Sequence, residues 1–409
     1  MSRSIGQVTN KQPTLRTKAG ANIGGANEHN RRVVMHGLRV NGAMTRAQIA
    51  RGTGLVPQTV SNIVEDLERE GLVVAAEPIK GGRGQPATPY SIAANGAFAI
   101  GLQIDQNHVR AVAINLLGEV IVGTETILQP GGLKHNLPLI LAALKSVAAA
   151  PALLAASTAP NILGIGVAMP APTGVHATLG DPWMVGLTEA HPIVEVLQRE
   201  TGLCVSLHHD ASAAAVAERT TGVAVGLDSF VLIFVSYGIG AGIYIGGELA
   251  RGHHRLAGEL GLVLVPDGDR MIPLEERASL KRLFASLGLI PNQPDLFAKL
   301  EAAVATSAPE VQEWVSDAAA QLAWAIGTIQ CLLDPEAVVI GGQMPDSLMA
   351  QLFEATLVAQ TKAHPGRDAS YACPRRGSVA PFSVAAGAAA DPIARAFDPS
   401  LSALMKPST

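Results

Sequence analysis

The stretch Thr45-Arg46-Ala47-Gln48-Ile49-Ala50-Arg51-Gly52-Thr53-Gly54-Leu55-Val56-Pro57-Gln58-Thr59-Val60-Ser61-Asn62-Ile63-Val64-Glu65-Asp66-Leu67 encodes two short helices and the turn between them. Thr45 and Gln48 have the Thr-x-x-Gln form of a capping box, in which two side chains satisfy backbone N–H groups that a helix start leaves open. The spacing predicts a helix over 46–51, stopped by the glycines of Gly52-Thr53-Gly54. Pro57 suits the first turn of the next helix, where its missing N–H would have had no partner. That helix is expected to run to about Glu70, before Gly71. Val60, Ile63, Val64 and Leu67 form its buried stripe, which leaves Gln58, Thr59, Ser61 and Asn62 outward near its front end.

Upstream, the apolar Val33, Val34 and Leu38 predict a helix over Asn27–Val40, closed by Asn41-Gly42. Downstream, Gly71–Val74 reads as a strand and Thr88–Ile92 as its return, joined by the basic turn Lys80-Gly81-Gly82-Arg83-Gly84-Gln85-Pro86. Helix, capped short helix, glycine turn, Pro-started helix and basic hairpin, in that order, make a winged helix-turn-helix. Such a unit points to DNA, because recognition helices bring polar side chains near their N-termini to base edges. Arg83, flanked by glycines, suits a narrow and electronegative minor groove. The rival reading is a protein-interaction module in which the glycine-rich turn is a plain linker.

Charge divides the chain the same way. Residues 1–90 hold 12 Lys and Arg against 6 Asp and Glu, and residues 91–409 hold 18 against 28, so +6 and −10 make up the net −4. A basic small module beside an acidic large one suits a polyanion for the first and a small molecule for the second. At 409 residues the chain exceeds the about 250–300 at which single cores stop growing, so several domains are expected. The expected division is a disordered basic arm over 1–26, a DNA-binding domain over 27–92, a large domain over 93–395 and a tail over 396–409. Cys204, Cys331 and Cys373 are odd in number and far apart, which speaks against a disulfide framework and for a reducing, cytoplasmic location. Apolar runs such as Phe230–Val235 fall short of the ~20 residues that cross a bilayer, so no membrane association is expected.

From Ala93 onward the pattern changes to strands alternating with helices: Phe98–Ile104, Val109–Asn115 and Val120–Thr126, a helix around Leu137–Ala150, and a buried strand Ile162–Ala168. Four motifs could carry chemistry. Ser236-Tyr237-Gly238-Ile239-Gly240-Ala241-Gly242-Ile243 reads as a hairpin turn whose amides could hold an anion. Val338-Val339-Ile340-Gly341-Gly342 ends a buried strand where a nucleotide base could pack. His208-His209-Asp210-Ala211 places Asp210 at a helix start, as an N-cap or as a carboxylate facing a bound hydroxyl. Ala257-Gly258-Glu259-Leu260-Gly261 suggests a turn that presents Glu259 to a ligand.

Together with the winged helix, these motifs, Gly164-Ile165-Gly166-Val167-Ala168-Met169-Pro170, Arg251-Gly252 and Leu333-Asp334-Pro335 before Gly341-Gly342 carry a resemblance over residues 27–395. The chain resembles the ROK family (repressors, open reading frames, kinases), in its repressor branch. The resemblance implies an α/β, actin-like, two-lobed sugar kinase fold with a hexose-type ligand between the lobes. It further implies that Asp210 stands where the kinases have their general base, that Glu259 and Glu275 meet sugar hydroxyls beside His209, which replaces the family's usual Asn, and that Asp181-Pro182-Trp183 falls on a segment that lines the sugar, where Trp183 either stacks on a pyranose face or is plain core. A pair of carboxylates suits a polyol, since each accepts several hydroxyl donors.

Departures from the family pattern shape the functional expectation. The kinases' phosphate loop, an Asp followed by two glycines and Thr, falls on Asp105-Gln106-Asn107-His108, where bulkier residues obstruct a close backbone approach to phosphate. Asp210 is then a relic of the general base in a protein that is not an enzyme, and ATP is not expected. Leu262 replaces the family's zinc-binding His, and Pro266–Glu275 has no cysteine, so no zinc or other cofactor is expected. The resulting expectation is a sequence-specific transcriptional regulator of carbohydrate metabolism, a repressor controlled by a sugar-like effector. As a homodimer or homotetramer it would bind a pseudo-palindromic DNA operator. The alternatives are a sugar kinase with an appended DNA-binding domain and a module that acts through protein partners.

Overall fold

The computed structural model describes residues 23–78, 87–105, 107–129, 131–157, 160–170, 187–254, 256–290, 293, 295–363 and 374–399. It opens with α1 (Ile23–Asn41), β1 (Met44–Thr45), α2 (Arg46–Thr53), α3 (Pro57–Arg69), β2 (Val73–Ala75) and β3 (Pro89–Ile92). The expected capping box is formed: Thr45 Oγ1 accepts from the Gln48 N–H at 3.3 Å, and Gln48 Oε1 accepts from the Thr45 N–H at 2.8 Å. Gly54 ends α2 at φ 73°, a left-handed conformation that glycine adopts without steric cost. The strands pair antiparallel in the order β1-β3-β2, which completes the winged helix. Helix α1 begins four residues before the expected start. The basic turn with Arg83 lies outside the described residues.

The next unit contains β4 (Phe98–Ile104), β5 (His108–Asn115), β6 (Val120–Ile127), α4 (Gly132–Ala148), α5 (Pro151–Ala156), β7 (Ile162–Met169), α6 (Leu187–Thr201) and β8 (Val205–His209). Its sheet has the order β6-β5-β4-β7-β8, with β4, β5 and β6 antiparallel and β7 and β8 added in parallel. The segment Gly132–Ala156 is long and apolar enough by composition to cross a membrane, contrary to the estimate from shorter runs. In the fold it breaks between α4 and α5. Leu133, Ile140, Leu144, Val147 and Leu153 are buried with Phe98, Ile100 and Leu102 of β4.

Helix α7 (Asp210–Thr221) leads into the second lobe, built from β9 (Phe230–Val235), β10 (Ile239–Ile245), β11 (Glu248–Leu249), β12 (Leu264–Asp267), β13 (Arg270–Pro273), α8 (Glu275–Ala278), α9 (Leu280–Ser286), α10 (Leu296–Ala305), α11 (Pro309–Leu333), β14 (Ala337–Gly342), α12 (Asp346–Ala363) and β15 (Pro374–Arg376). Its sheet order, β11-β10-β9-β14-β15, repeats that of the first lobe strand for strand. The last helix, α13 (Ser383–Phe397), follows β15 as α7 follows β8. The two helices cross over: α7 packs on β9 and β10 of the second lobe, and α13 on β4, β5 and β7 of the first.

Glycines set how closely these helices approach. A Cβ on Gly166 of β7 would fall 1.9 Å from the Ala388 carbonyl oxygen, and one on Gly101 of β4 would fall 1.8 Å from that of Ala385. Where the helices meet, a Cβ on Gly387 would lie 1.8 Å from the Ala213 carbonyl oxygen. The DNA-binding module has no separate core. Val34, Met35 and Leu38 of α1 share one buried cluster with Val60, Ile63, Val64 and Leu67 of α3, and with Ala99, Val112, Ala385, Ala389 and Ile393 of the large domain.

Gly166→Ala is expected to lower stability by about 1–3 kcal/mol through overpacking. Gly37→Ala, in the open interior of α1 with its nearest atom 3.9 Å away, is expected to raise it by about 0.8–1 kcal/mol. Thermal and urea denaturation of the two variants should shift in opposite directions.

Candidate functional site

The front of α3 carries the expected division of faces. Val60, Ile63, Val64 and Leu67 are buried, Gln58 and Asn62 are exposed, and Thr59 and Ser61 are half-buried. Gln58 Nε2 donates to Asn62 Oδ1 at 3.0 Å, so the two outermost amides, one turn apart, hold each other. Each keeps further donor and acceptor capacity for a base edge. Arg46 stacks over the Tyr90 ring at 5.1 Å and reaches Glu65 at 3.5 Å, so it joins the start of α2 to β3 and α3. Val56, the residue before α3, is 64% exposed at the tip of the module, a position the helical pattern did not single out.

In the large domain, β8 delivers His209 and α7 begins with Asp210. The N-cap is His209 and not Asp210, which is the first helical residue and accepts the Ala211 N–H on Oδ1 at 2.6 Å. Asp210 is half-buried as a residue, and its carboxyl is enclosed by protein. That enclosure pushes its carboxyl up to about 7, with the charges of Asp105 and Glu259 adding to the effect. His209 Nδ1 is 4.0 Å from Glu259 Oε1. Burial lowers the His209 imidazole, as do His208 and Arg251 nearby.

Glu259 is fixed by backbone constraints. Gly258 has φ 97°, and a Cβ there would lie 2.0 Å from the Ala241 carbonyl oxygen. The Ala241 N–H donates to the Gly258 carbonyl at 2.7 Å, which binds this step to β10. Burial and the neighbouring charge of Glu275 both raise the Glu259 carboxyl. Glu275 starts α8, and its Oε2 lies 3.3 Å from where a Cβ on Gly238 would be and 2.9 Å from that of Gly261.

The expected hairpin forms between β9 and β10, with Ser236-Tyr237-Gly238 as its turn, and the glycines beyond the turn are taken up by packing. Gly240 and Gly242 lie within β10, where a Cβ would fall 2.8 Å and 2.3 Å from the β-carbons of Ala211 and Ala215 of α7, so they serve helix packing. Gly238 makes room for a carboxylate. Gly342 is likewise occupied by packing, since its Cβ would meet the Val235 carbonyl oxygen at 1.9 Å.

The turn between β4 and β5 brings Asp105 to the same electrostatic neighbourhood. Its Oδ1 accepts the N–H groups of Asn107 and His108, both at 2.7 Å, and its Oδ2 accepts from Arg110 at 2.9 Å. Burial alone would raise this carboxyl, but the contacts with His108 and Arg110 hold it below its usual range. The His108 ring meets Phe297 of α10 at 6.1 Å, closing a contact between the lobes. Gln106, and the segment with Trp183, lie outside the described residues.

Gln103 and Asp391 were not singled out by the motifs, and His208 was named only as part of the His208-His209-Asp210 stretch. Gln103 is 1% exposed, and neither polar atom of its side chain has a hydrogen-bond partner. His208 is buried and Asp391 half-buried, and they face each other at 3.5 Å. Residues 262–275, where the resemblance places the family's zinc ligands, contain neither histidine nor cysteine. The segment is instead the β12–β13 hairpin, clasped by Arg277 between Asp267 and Asp317.

Comparisons with known proteins agree with this architecture. A winged helix-turn-helix DNA-binding model matches residues 38–74. Over 237 residues the chain is 27% identical to a xylose repressor of Caldicellulosiruptor bescii, covering 57% of each protein. It is 34% identical over 180 residues to the bifunctional enzyme NanE/NanK of Brucella suis, covering 43% of this chain and 33% of that one. The crystal structure of a ROK family transcriptional regulator, a homologue of the E. coli MLC protein, superposes with a TM-score of 0.68 at 20% identity, over 93% of this chain and 98% of that one. The ROK family model itself matches residues 143–390, more than half of the sequence, and the chain belongs to the ROK family.

Proposed function

We propose that this protein is a sequence-specific DNA-binding transcriptional regulator of carbohydrate metabolism, a repressor whose cleft binds a sugar or sugar derivative. The observation that carries this reading is the exposed Gln58–Asn62 pair on α3, in a module that shares one hydrophobic core with the sugar-binding lobe. A change of lobe position would therefore bear directly on the DNA-binding helices. The kinship with a xylose repressor supports a carbohydrate as effector. His209, Asp210, Glu259 and Glu275 are the residues we assign to it, together with Trp183, which lies outside the described residues. We place two or four copies on a pseudo-palindromic operator, in the cytoplasm, with Gln58, Thr59, Ser61 and Asn62 at base edges and Arg83 in the minor groove.

A second reading, a sugar kinase with an appended DNA-binding domain, draws on the kinship with NanE/NanK. The β4–β5 turn weighs against it, because the Asp105 carboxylate already takes up the amides of Asn107 and His108 that a phosphate would need. A coupled assay with ATP over a monosaccharide panel separates the two. Turnover at ordinary enzymatic rates, about 1–1,000 per second, would establish the kinase.

For the DNA role, Asn62→Ala is expected to weaken binding to the protein's own upstream region by about 1–3 kcal/mol and to relax base preference. Arg83→Ala is expected to lower the salt dependence by about one charge. Quantitative gel shift across salt concentrations checks both, and unchanged affinity in the two variants would sink the assignment.

For the effector role, Glu259→Ala is expected to abolish the heat of monosaccharide binding in calorimetry. The Asp210 carboxyl, held up at about 7, ionises as pH rises from 6 to 8. Only the ionised form can accept hydroxyl donors on both oxygens, so sugar affinity should rise over that range. Asp210→Asn should remove the pH dependence, and an unaltered profile would place the sugar elsewhere.

A further inference from the structure

Asp391 of α13 gathers charges from separate parts of the fold. Its Oδ2 faces His208 Nε2 of β8 at 3.5 Å and takes Arg395 Nε one turn along α13. Its Oδ1 faces Arg251 Nη2 at 3.6 Å, from the segment that follows β11 in the second lobe. The carboxylate side chain is only 12% exposed, whereas Arg251 is 46% exposed and reaches it from the surface.

His208 is fixed further by Ser206 Oγ at 2.9 Å and precedes His209 in the cleft. Two and six residues beyond Asp391, Ile393 and Phe397 line a small cavity with Met35, His36 and Arg39 of α1, Ile92 of β3 and Leu116. A single helix thus carries, within two turns, a carboxylate bonded to both lobes and two side chains seated against the DNA-binding module. Backbone approaches through Gly166 and Gly387 leave that helix little freedom to bend independently of its neighbours.

We propose that Asp391 is the positioning residue that ties the second lobe to the DNA-binding module, with Arg251 as its movable partner and α13 as the lever. When the second lobe shifts relative to the first, Arg251 moves with β11 and either closes on Asp391 or leaves it. His208 and Arg395 keep the carboxylate ionised, although burial by itself would favour the acid. A buried ionised carboxylate that loses one cation is costly, so α13 has two energetically distinct settings. Its terminal residues Ile393 and Phe397 deliver that difference to α1. This rests on the proposed function only for the meaning of the coupling. The contact network itself is testable with neither DNA nor sugar present.

Amide hydrogen exchange of the full chain provides that test. Arg251→Ala removes a half-exposed side chain of the second lobe, yet is expected to speed exchange across α1 by about threefold or more while α11 keeps its rate. Asp391→Asn is expected to do the same, and Arg251→Lys, which retains the cation, to restore protection. Unchanged exchange in α1 of the Arg251→Ala variant overturns the proposal. So does an acceleration spread equally over α1 and α11, which would mark the pair as a general stability contact. Failure of Lys to rescue would show that the cation is not what matters. DNA or sugar binding could fail separately without touching any of these readings.

Discussion

The reciprocal crossing of α7 and α13 is the constraint on which the rest of the molecule depends. Each helix ends one lobe in sequence and packs on the sheet of the other. Their contact is close enough that a β-carbon on Gly387 would collide with the Ala213 carbonyl. Such backbone-to-backbone packing leaves no flexible side chain to absorb a displacement, and close-packed interiors transmit strain. The two sheets are thereby held by two rigid rods that neither lobe owns alone.

The cleft follows from that crossing. Asp210 heads α7, Glu259 is fastened to β10 beneath α7, and Asp105 ends β4 beneath α13, so acids from distant parts of the chain are brought together. Like charges in a partly desolvated space raise one another, and the structure moderates this unevenly. Asp105 is held ionised by Arg110 and two amides, whereas Asp210 has backbone amides alone and its carboxyl is pushed up to about 7. The difference gives Asp105 a structural task within its own turn, whereas Asp210 faces no cation that would hold it ionised. The same crossing seats the end of α13 against α1, so the DNA-binding module is buried into the sensor and not tethered to it.

Local features were legible because they are written in contiguous residues. The capping box of Thr45 and Gln48, the proline at the start of α3 and the buried stripe of that helix all depend on spacings within one or two turns. The strands β7 and β9 likewise appear as apolar runs, and β4 and β5 as apolar runs broken inside by Gln103 and Arg110. Glycines were misleading for the opposite reason. A glycine is needed both where a backbone turns or meets an anion and where another backbone presses against it. Gly240 and Gly242 belong to the second case, and nothing within their own stretch says so. Asp210 was placed correctly in the chain, but the N-cap fell one residue earlier, a difference set by backbone dihedrals and not by residue type.

The duplicated strand order of the two lobes left no trace in residue pattern, because sheet topology constrains where strands lie and not which apolar residues form them. By itself the sequence determined the helices and strands, the faces they bury, the basic and acidic halves, and the carboxylates available to a ligand. Tertiary structure alone decided that Asp391 meets His208 and Arg251, that Asp105 spends its charge within its own turn, and that α1 shares a core with α13. The reason is physical: spacing along a chain governs contacts within a few residues, whereas a charge pair between residues 140 positions apart exists only once packing has fixed both backbones.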